Sequence, residues 1–242
     1  MTKASRIRVI HLLLLGVLVL AATSWAQERP PISAQIAKTY GLDSFSQIEQ
    51  IRYTFNIPER NLSRTSVWEP KTDQVSYEGK DKAGNPVKLT YRRSQLSSQA
   101  AVVKDEIDPA FINDQYWLLF PFHLIWDSSA KVEDTGMHKL PLGKGSARRV
   151  VVTYPPAGGY SPGDTWELFV GPDNRIREWT WHQGGSPQPT GVWSWEDYKK
   201  AGPLLLSLNH IGKWMDGKPL RVFFTDVAIK LVGEGSTWVK AQ

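Results

Sequence analysis

Apolar and polar positions alternate along most of this chain, and the period of the alternation changes in two places. Near the start, Ile32, Ile36, Ala37 and Tyr40 recur at helical spacing. Gly41 follows as a stop signal, which predicts a short helix with Ser33 as its N-cap. Asp43 is placed to cap a second short helix through Gln50, with Phe45, Ile48 and Ile51 turned inward. The period then switches to two. Ile51, Tyr53, Phe55 and Ile57 fall on one side and Arg52, Thr54 and Asn56 on the other, the pattern of a half-buried strand. Residues 63–69, 73–79 and 86–92 predict three more strands. Pro70-Lys71-Thr72 and the polar run 80–85 are the turns between them.

Residues 104–126 interrupt this pattern. Ile107, Phe111, Ile112, Tyr116, Leu119 and Phe120 approach helical spacing, and Pro121 is expected to end the regular part. Asp105, Glu106 and Asp108 sit where a helix dipole favours negative charge. From Tyr116 to Phe122 the segment is apolar on every side, so it must be buried by a sheet or must cover something apolar. Strand signals resume at 147–154, 164–170, 175–182, 192–198, 204–211 and 220–232, joined by Gly- and Pro-rich connections. Strand after strand joined by short turns predicts an antiparallel meander and a mainly β, α+β fold.

The N-terminus reads differently. Lys3, Arg6 and Arg8 precede a 14-residue apolar stretch from Val9 to Ala22, and Ser24-Trp25-Ala26 supplies small residues at the −3 and −1 positions. This is the layout of a secretory signal peptide over residues 1–26, leaving residues 27–242 as one β-rich domain. The apolar run is shorter than the about 20 residues that span a bilayer, so no integral membrane association is expected after cleavage. Removing the signal takes Lys+Arg from 29 to 26 against 24 acidic residues, and the net charge from +5 to +2. The basic character of the whole chain therefore gives no reason to expect a nucleic-acid partner, which would need a clustered basic face. The chain has no cysteine. That excludes disulfides, thiolate metal centres, thiol nucleophiles and lipidation on cysteine.

The order of signal peptide, short helix ending in Tyr40-Gly41, Ile48-x-x-Ile51-x-Tyr-Thr-Phe55, strands, one apolar helix and more strands resembles the LolA/LolB-like type of periplasmic lipoprotein-sorting protein. Large uncharacterised families of secreted bacterial proteins share this layout. The resemblance covers roughly residues 32–232. It implies a curved antiparallel sheet forming an unclosed β-barrel, with one or two helices on its concave side. In carriers of this type the apolar concave face holds acyl chains.

Motifs of catalysis are weak. Gly159-Tyr160-Ser161-Pro162-Gly163 spells a nucleophile elbow, but Pro162 lacks the N–H that the oxyanion hole requires, and a strand follows. Gly143-Lys-Gly145 lacks the later glycine of a dinucleotide site. His123, His138, His182 and His210 show no metal-ligand spacing. Asn61-Leu62-Ser63 spells a glycosylation sequon that matters only in a eukaryotic secretory pathway. No catalytic residue, metal or cofactor is expected.

Tryptophan is the unusual feature: the chain has 11, of which ten follow the signal segment. Trp179 and Trp181 share one strand face, and so do Trp193 and Trp195. A hairpin centred near Pro187 would set Trp181 against Trp193 and Trp179 against Trp195, either as packed core or as a binding wall. Trp117, Phe120 and Phe122 would form the opposite wall. Ser194, Thr180 and Glu178 would face solvent. The reading that follows is a soluble periplasmic or secreted protein that carries or chaperones a lipid-like or other apolar ligand without catalysis. A hydrolase with a site assembled from distant residues and a glycan- or protein-binding structural module are the alternatives.

Overall fold

The computed structural model describes residues 29–233 and 237–242. The signal-peptide expectation, residues 1–26, lies outside them. Among the described residues are two α-helices, α1 (Pro31–Thr39) and α2 (Asp108–Trp126), and 13 strands in one antiparallel sheet. The first four strands are β1 (Ile48–Ile57), β2 (Leu62–Glu69), β3 (Gln74–Lys80) and β4 (Pro86–Arg92). After α2 come β5 (Lys131–Lys139), β6 (Ser146–Thr153), β7 (Thr165–Val170), β8 (Ile176–His182) and β9 (Gly191–Ser194). The last are β10 (Glu196–Ala201), β11 (Leu204–Trp214), β12 (Pro219–Leu231) and β13 (Val239–Lys240).

The strand order is β4-β3-β2-β1-β12-β11-β9-β8-β7-β6-β5, with β10 paired to β11 and β13 to β12. Two meanders are thus joined by one non-local ladder between β1 and β12, in which Phe55 lies opposite Phe224. The sheet does not close. Its edges, β4 and β5, are consecutive in the chain, and α2 is the connection between them. A helix that links the two edges of an open sheet must cross its inner face. That is why α2 is apolar all round and buries Phe111, Leu118, Leu119, Phe120 and Phe122.

Several local expectations change. The N-cap of α1 is Pro30, and Ser33 lies buried inside the helix. The second helix is a single 3₁₀ segment, Leu42–Gln47, because Ile48 already belongs to β1. Pro121 does not end α2, which runs on to Trp126 after a π-helical turn over Val103–Ile107. Residues 192–198 divide into β9 and β10 around Trp195, next to Asp197 at φ 51°. Glu178 and Thr180 do not face solvent. The turn between β5 and β6 folds over Glu178, to which the Leu142 N–H donates at 2.6 Å, and the Thr180 hydroxyl donates to Glu167 at 2.9 Å.

The Tyr40-Gly41 pair has a structural explanation. Gly41 sits at φ 106°, and a Cβ there would lie 2.5 Å from the Pro203 carbonyl oxygen. The tight turn delivers the Tyr40 ring between α1 and the sheet. Its hydroxyl donates to Tyr198 (2.6 Å), Tyr198 donates to the Ile176 carbonyl (2.6 Å), and the Ile176 N–H donates back to Tyr40 (3.0 Å). This closed ring satisfies every polar atom that these two tyrosines bury.

Candidate functional site

Trp68 of β2 packs against Phe111 and Trp126 on one flank of the inner face, and the other inner-face strand tryptophans come from β7, β8, β9 and β11. The β8–β9 hairpin pairs Trp179 with Trp193 and Trp181 with Gly191. The register is two positions away from the expected one, so the same residues stay on the same face. The turn sets this. A 3₁₀ segment over Gln183–Gly185 and the Thr190 N–H bond to the Trp181 carbonyl (2.6 Å) consume the connection. Trp195 lies beyond the ladder, with its N–H on the Arg177 carbonyl at 2.8 Å.

Glycine shapes the wall as much as tryptophan does. Gly212 of β11 lies opposite Trp193, and Gly191 lies opposite Trp214. A Cβ on Gly191 would lie 2.2 Å from the Trp193 ring, and one on Gly212 2.4 Å from it. The Trp193 indole therefore lies flat in a notch made by two absent side chains.

Trp117 and Phe120 of α2 press into this face. Ring centroids lie 4.8 Å apart for Trp117–Trp179, 5.2 Å for Trp117–Trp193 and 5.4 Å for Phe120–Trp179. Trp179 meets Trp195 at 5.3 Å and Trp166 at 4.6 Å. Phe122 points to the other flank, against Phe45 (5.1 Å) and Trp126 (5.2 Å). Among the expected wall residues, then, Trp117, Phe120, Trp179, Trp193 and Trp195 form one cluster, with Trp181 at its edge and Phe122 apart. His210 is sealed beneath Trp117 and Trp195, with no exposure. Burial drives its pKa down to about 3, against weaker support for the charged form from the carbonyls of Ser194, Ser207 and Trp117.

Toward Trp181 the packing opens into a cavity of about 220 Å³. Its walls are Trp117, Trp166, Trp181, Trp193 and Trp214, with Tyr116, Ile112 and Pro109 from the α2 side. Three polar residues, Asn113, Ser161 and Asp164, reach it. Trp166 lies directly opposite Trp181 across β7 and β8. Asp164 is 8% exposed and accepts hydrogen bonds from the Trp181 indole N–H (2.9 Å) and the Gly184 N–H (2.8 Å). Sequence reasoning missed Trp166, Trp214 and Asp164. Continuing the alternation His210, Gly212, Trp214 past residue 211 was the available signal for Trp214.

Tyr160 borders the cavity from the loop between β6 and β7. Its hydroxyl donates to Asp108, which also accepts from Tyr91 (2.8 Å) and Arg93 Nε (2.8 Å) and is fully buried. Asp108 is therefore an anchor tying β4, the loop and α2 together, beyond any interaction with a helix dipole. On the far side of Tyr160 lies a groove of about 550 Å³, lined by Tyr116, His123, Asp127, Tyr154 and the loop glycines 158 and 159. There His123 Nδ1 lies 3.0 Å from Asp127, which also accepts from Tyr154 (2.6 Å) and Tyr116 (3.2 Å). Burial works to raise the Asp127 pKa, but the bonds from His123, Tyr154 and Tyr116 hold it below the ordinary carboxylate value. His123 Nε2 is buried with no hydrogen-bond partner, so no hydroxyl is aligned for activation by it. Among the described residues, no cluster of His, Cys, Asp and Glu is spaced to hold a metal ion. None of their helices is long and apolar enough to cross a membrane.

No protein-family model matches the chain. No curated protein matches it either. Among solved structures, it is similar to a DUF1329 family protein from Desulfovibrio piger at 7% identity and TM-score 0.43, over 85% of this chain and 95% of that one. It is similar to a LolA superfamily protein from Nitrosomonas europaea at 10% identity and TM-score 0.40, over 81% and 92%. The Mycobacterium tuberculosis lipoprotein LppX is similar at 8% identity and TM-score 0.31, over 83% and 96%.

Proposed function

We propose that the protein is an exported, soluble, non-catalytic binder of a lipid-like or otherwise apolar ligand, a carrier or chaperone in the periplasm or outside the cell. The observation that carries this reading is the cavity beside α2, walled by five indoles and two phenols and opening at the end of an otherwise close-packed face. Cavities for whole drug-sized molecules run to about 300–1,000 Å³, whereas about 150 Å³ is enough for benzene. At about 220 Å³ this one suits one end of an amphiphile. The rest of an extended ligand would lie along the neighbouring groove, which shares Ile112, Tyr116 and Tyr160 with the cavity.

The test is a tryptophan-fluorescence titration of the purified protein with Nile red and with hexyl glucoside, on the wild type and on a Trp117→Ala, Trp181→Ala double variant. Saturable binding that weakens at least tenfold in a folded double variant is expected. A well-folded wild type that binds neither probe contradicts the reading. A structural or protein-interaction role would then take its place.

A further inference from the structure

Resting on the ligand-binding reading, the chemistry of the ligand's inner end follows from the cavity's charge and from the angles between its walls. We propose that the cavity is a site for an organic cation of the trimethylammonium type, held by the faces of Trp181 and Trp214, with the buried Trp193 ring behind them, and by the carboxylate of Asp164.

Ring angles come first. Trp193 and Trp214 stand at 88° with centroids 5.2 Å apart, Trp117 and Trp193 at 84° and 5.2 Å, and Trp181 and Trp214 at 66° and 6.0 Å. These near-perpendicular rings enclose a point, and Trp166, near-coplanar with Trp181 at 24° and with Tyr116 at 9°, closes one side as a flat wall. Each indole face is the negative part of the ring quadrupole, so a box of such faces favours a compact cation. One wall shows this already, because the Arg60 guanidinium lies 5.7 Å from the Trp214 ring.

Charge comes second. Asp164 lines the cavity, is more than nine-tenths buried, and has both oxygens fixed by hydrogen bonds. Among the described residues no Lys, Arg or His lies within ion-pair distance of it. The nearby ionic contacts, Arg149 and His182, go to Glu167 instead. A buried carboxylate without a counter-charge is costly, and a cationic ligand would supply that charge. No basic side chain lines the cavity, and the indole N–H groups of Trp166 and Trp193 are buried without acceptors. An anionic end would meet neither a positive charge nor an exposed indole donor from these two rings. A primary ammonium would need up to three acceptors, and would have to draw on Asn113 and Ser161 as well as Asp164. A methylated ammonium needs none.

The experiment is isothermal titration calorimetry on the mature protein with choline and its uncharged isostere 3,3-dimethylbutan-1-ol. Tetramethylammonium, hexyltrimethylammonium and hexyl glucoside are titrated alongside. Choline is expected to bind at least tenfold more tightly than the isostere, and Asp164→Asn is expected to cut that ratio below threefold. Equal binding of choline and the isostere to the wild type overturns the proposal. This comparison needs no variant, so it stands even if Asp164→Asn fails to fold. Binding of hexyl glucoside with no preference for the cation overturns the cation site and leaves the amphiphile reading intact. If hexyltrimethylammonium binds no better than tetramethylammonium, the site takes a free small cation, and the amphiphile reading fails instead. If neither cation nor glucoside binds, both fail.

Discussion

Trp179 and Trp214 are both tryptophans on the inner face of one sheet, and they do different work. Trp179 has no exposure and is enclosed by Trp117, Phe120, Trp166 and Trp195. Trp214 is half-buried, meets Trp181 and Trp193 at its edge, and opens onto the cavity. The difference is made by the neighbours. Where α2 lies flat on the sheet, large rings fill all the space between them and form a floor. Where a small residue stands opposite the ring, as Gly191 does opposite Trp214, and no side chain of α2 covers it, the ring becomes the wall of a mouth. Residue type on a sheet face therefore does not separate core from site. Packing of the opposite layer does.

The largest effect should be on the floor. Trp179→Ala removes a ring buried on all sides and should cost about 3–5 kcal/mol, read as a fall in the denaturation midpoint at unchanged slope. A cost under about 1 kcal/mol would mean that the floor is loosely packed, and the contrast with the mouth would disappear.

The floor also carries a pH signature. His210 stays neutral when folded because its pKa is held near 3, whereas the unfolded chain has an ordinary imidazole near 6.5. Between these values the unfolded state binds the extra proton. Stability should therefore be complete above pH 6.5 and fall as the pH drops, by about 1.4 kcal/mol per pH unit from this group. Denaturation at pH 7 and pH 5 on wild type and His210→Gln should show a smaller fall in the variant. An equal fall in both proteins would place the imidazole in contact with water.

At the mouth the balance reverses. Trp214→Leu should cost no more than about 2 kcal/mol of stability, since its ring is only partly removed from water. It should nonetheless weaken Nile red binding at least tenfold. A variant that loses stability like Trp179→Ala and keeps its affinity would make Trp214 part of the floor.

Much of the fold was legible because one-sided burial writes a period of two into β1, Trp166, Leu168 and Val170 of β7 and Trp179 and Trp181 of β8 repeat at every second position, and α2 declares itself by being apolar all round. The polar edge strand β5 was missed. Only Val132 of it is buried, and Gly136 at φ 81° breaks its register, so no alternation survives. The ladder between β1 and β12 joins positions about 170 residues apart. No local pattern encodes it, because the pairing is fixed by how the two meanders share one core. For the site, the tryptophan face was readable but its depth was not. The hairpin register depended on a turn geometry that Gly184 and Gly185 leave open. Which rings are covered depends on where α2 crosses, and that decided between Trp179 and Trp214. Asp164 gave no sign of its own, since a lone aspartate before a strand reads as an ordinary turn residue.

The division of the inner face is tested most directly by the indole N–H signals in ¹H–¹⁵N NMR spectra of tryptophan-labelled protein. The titrant is hexyltrimethylammonium or hexyl glucoside, whichever binds more tightly, below its micelle concentration. Signals of Trp181 and Trp214 are expected to move along one saturable curve while those of Trp179 and Trp195 stay in place. Movement led by Trp179 and Trp195, with Trp181 and Trp214 unchanged, would contradict the account.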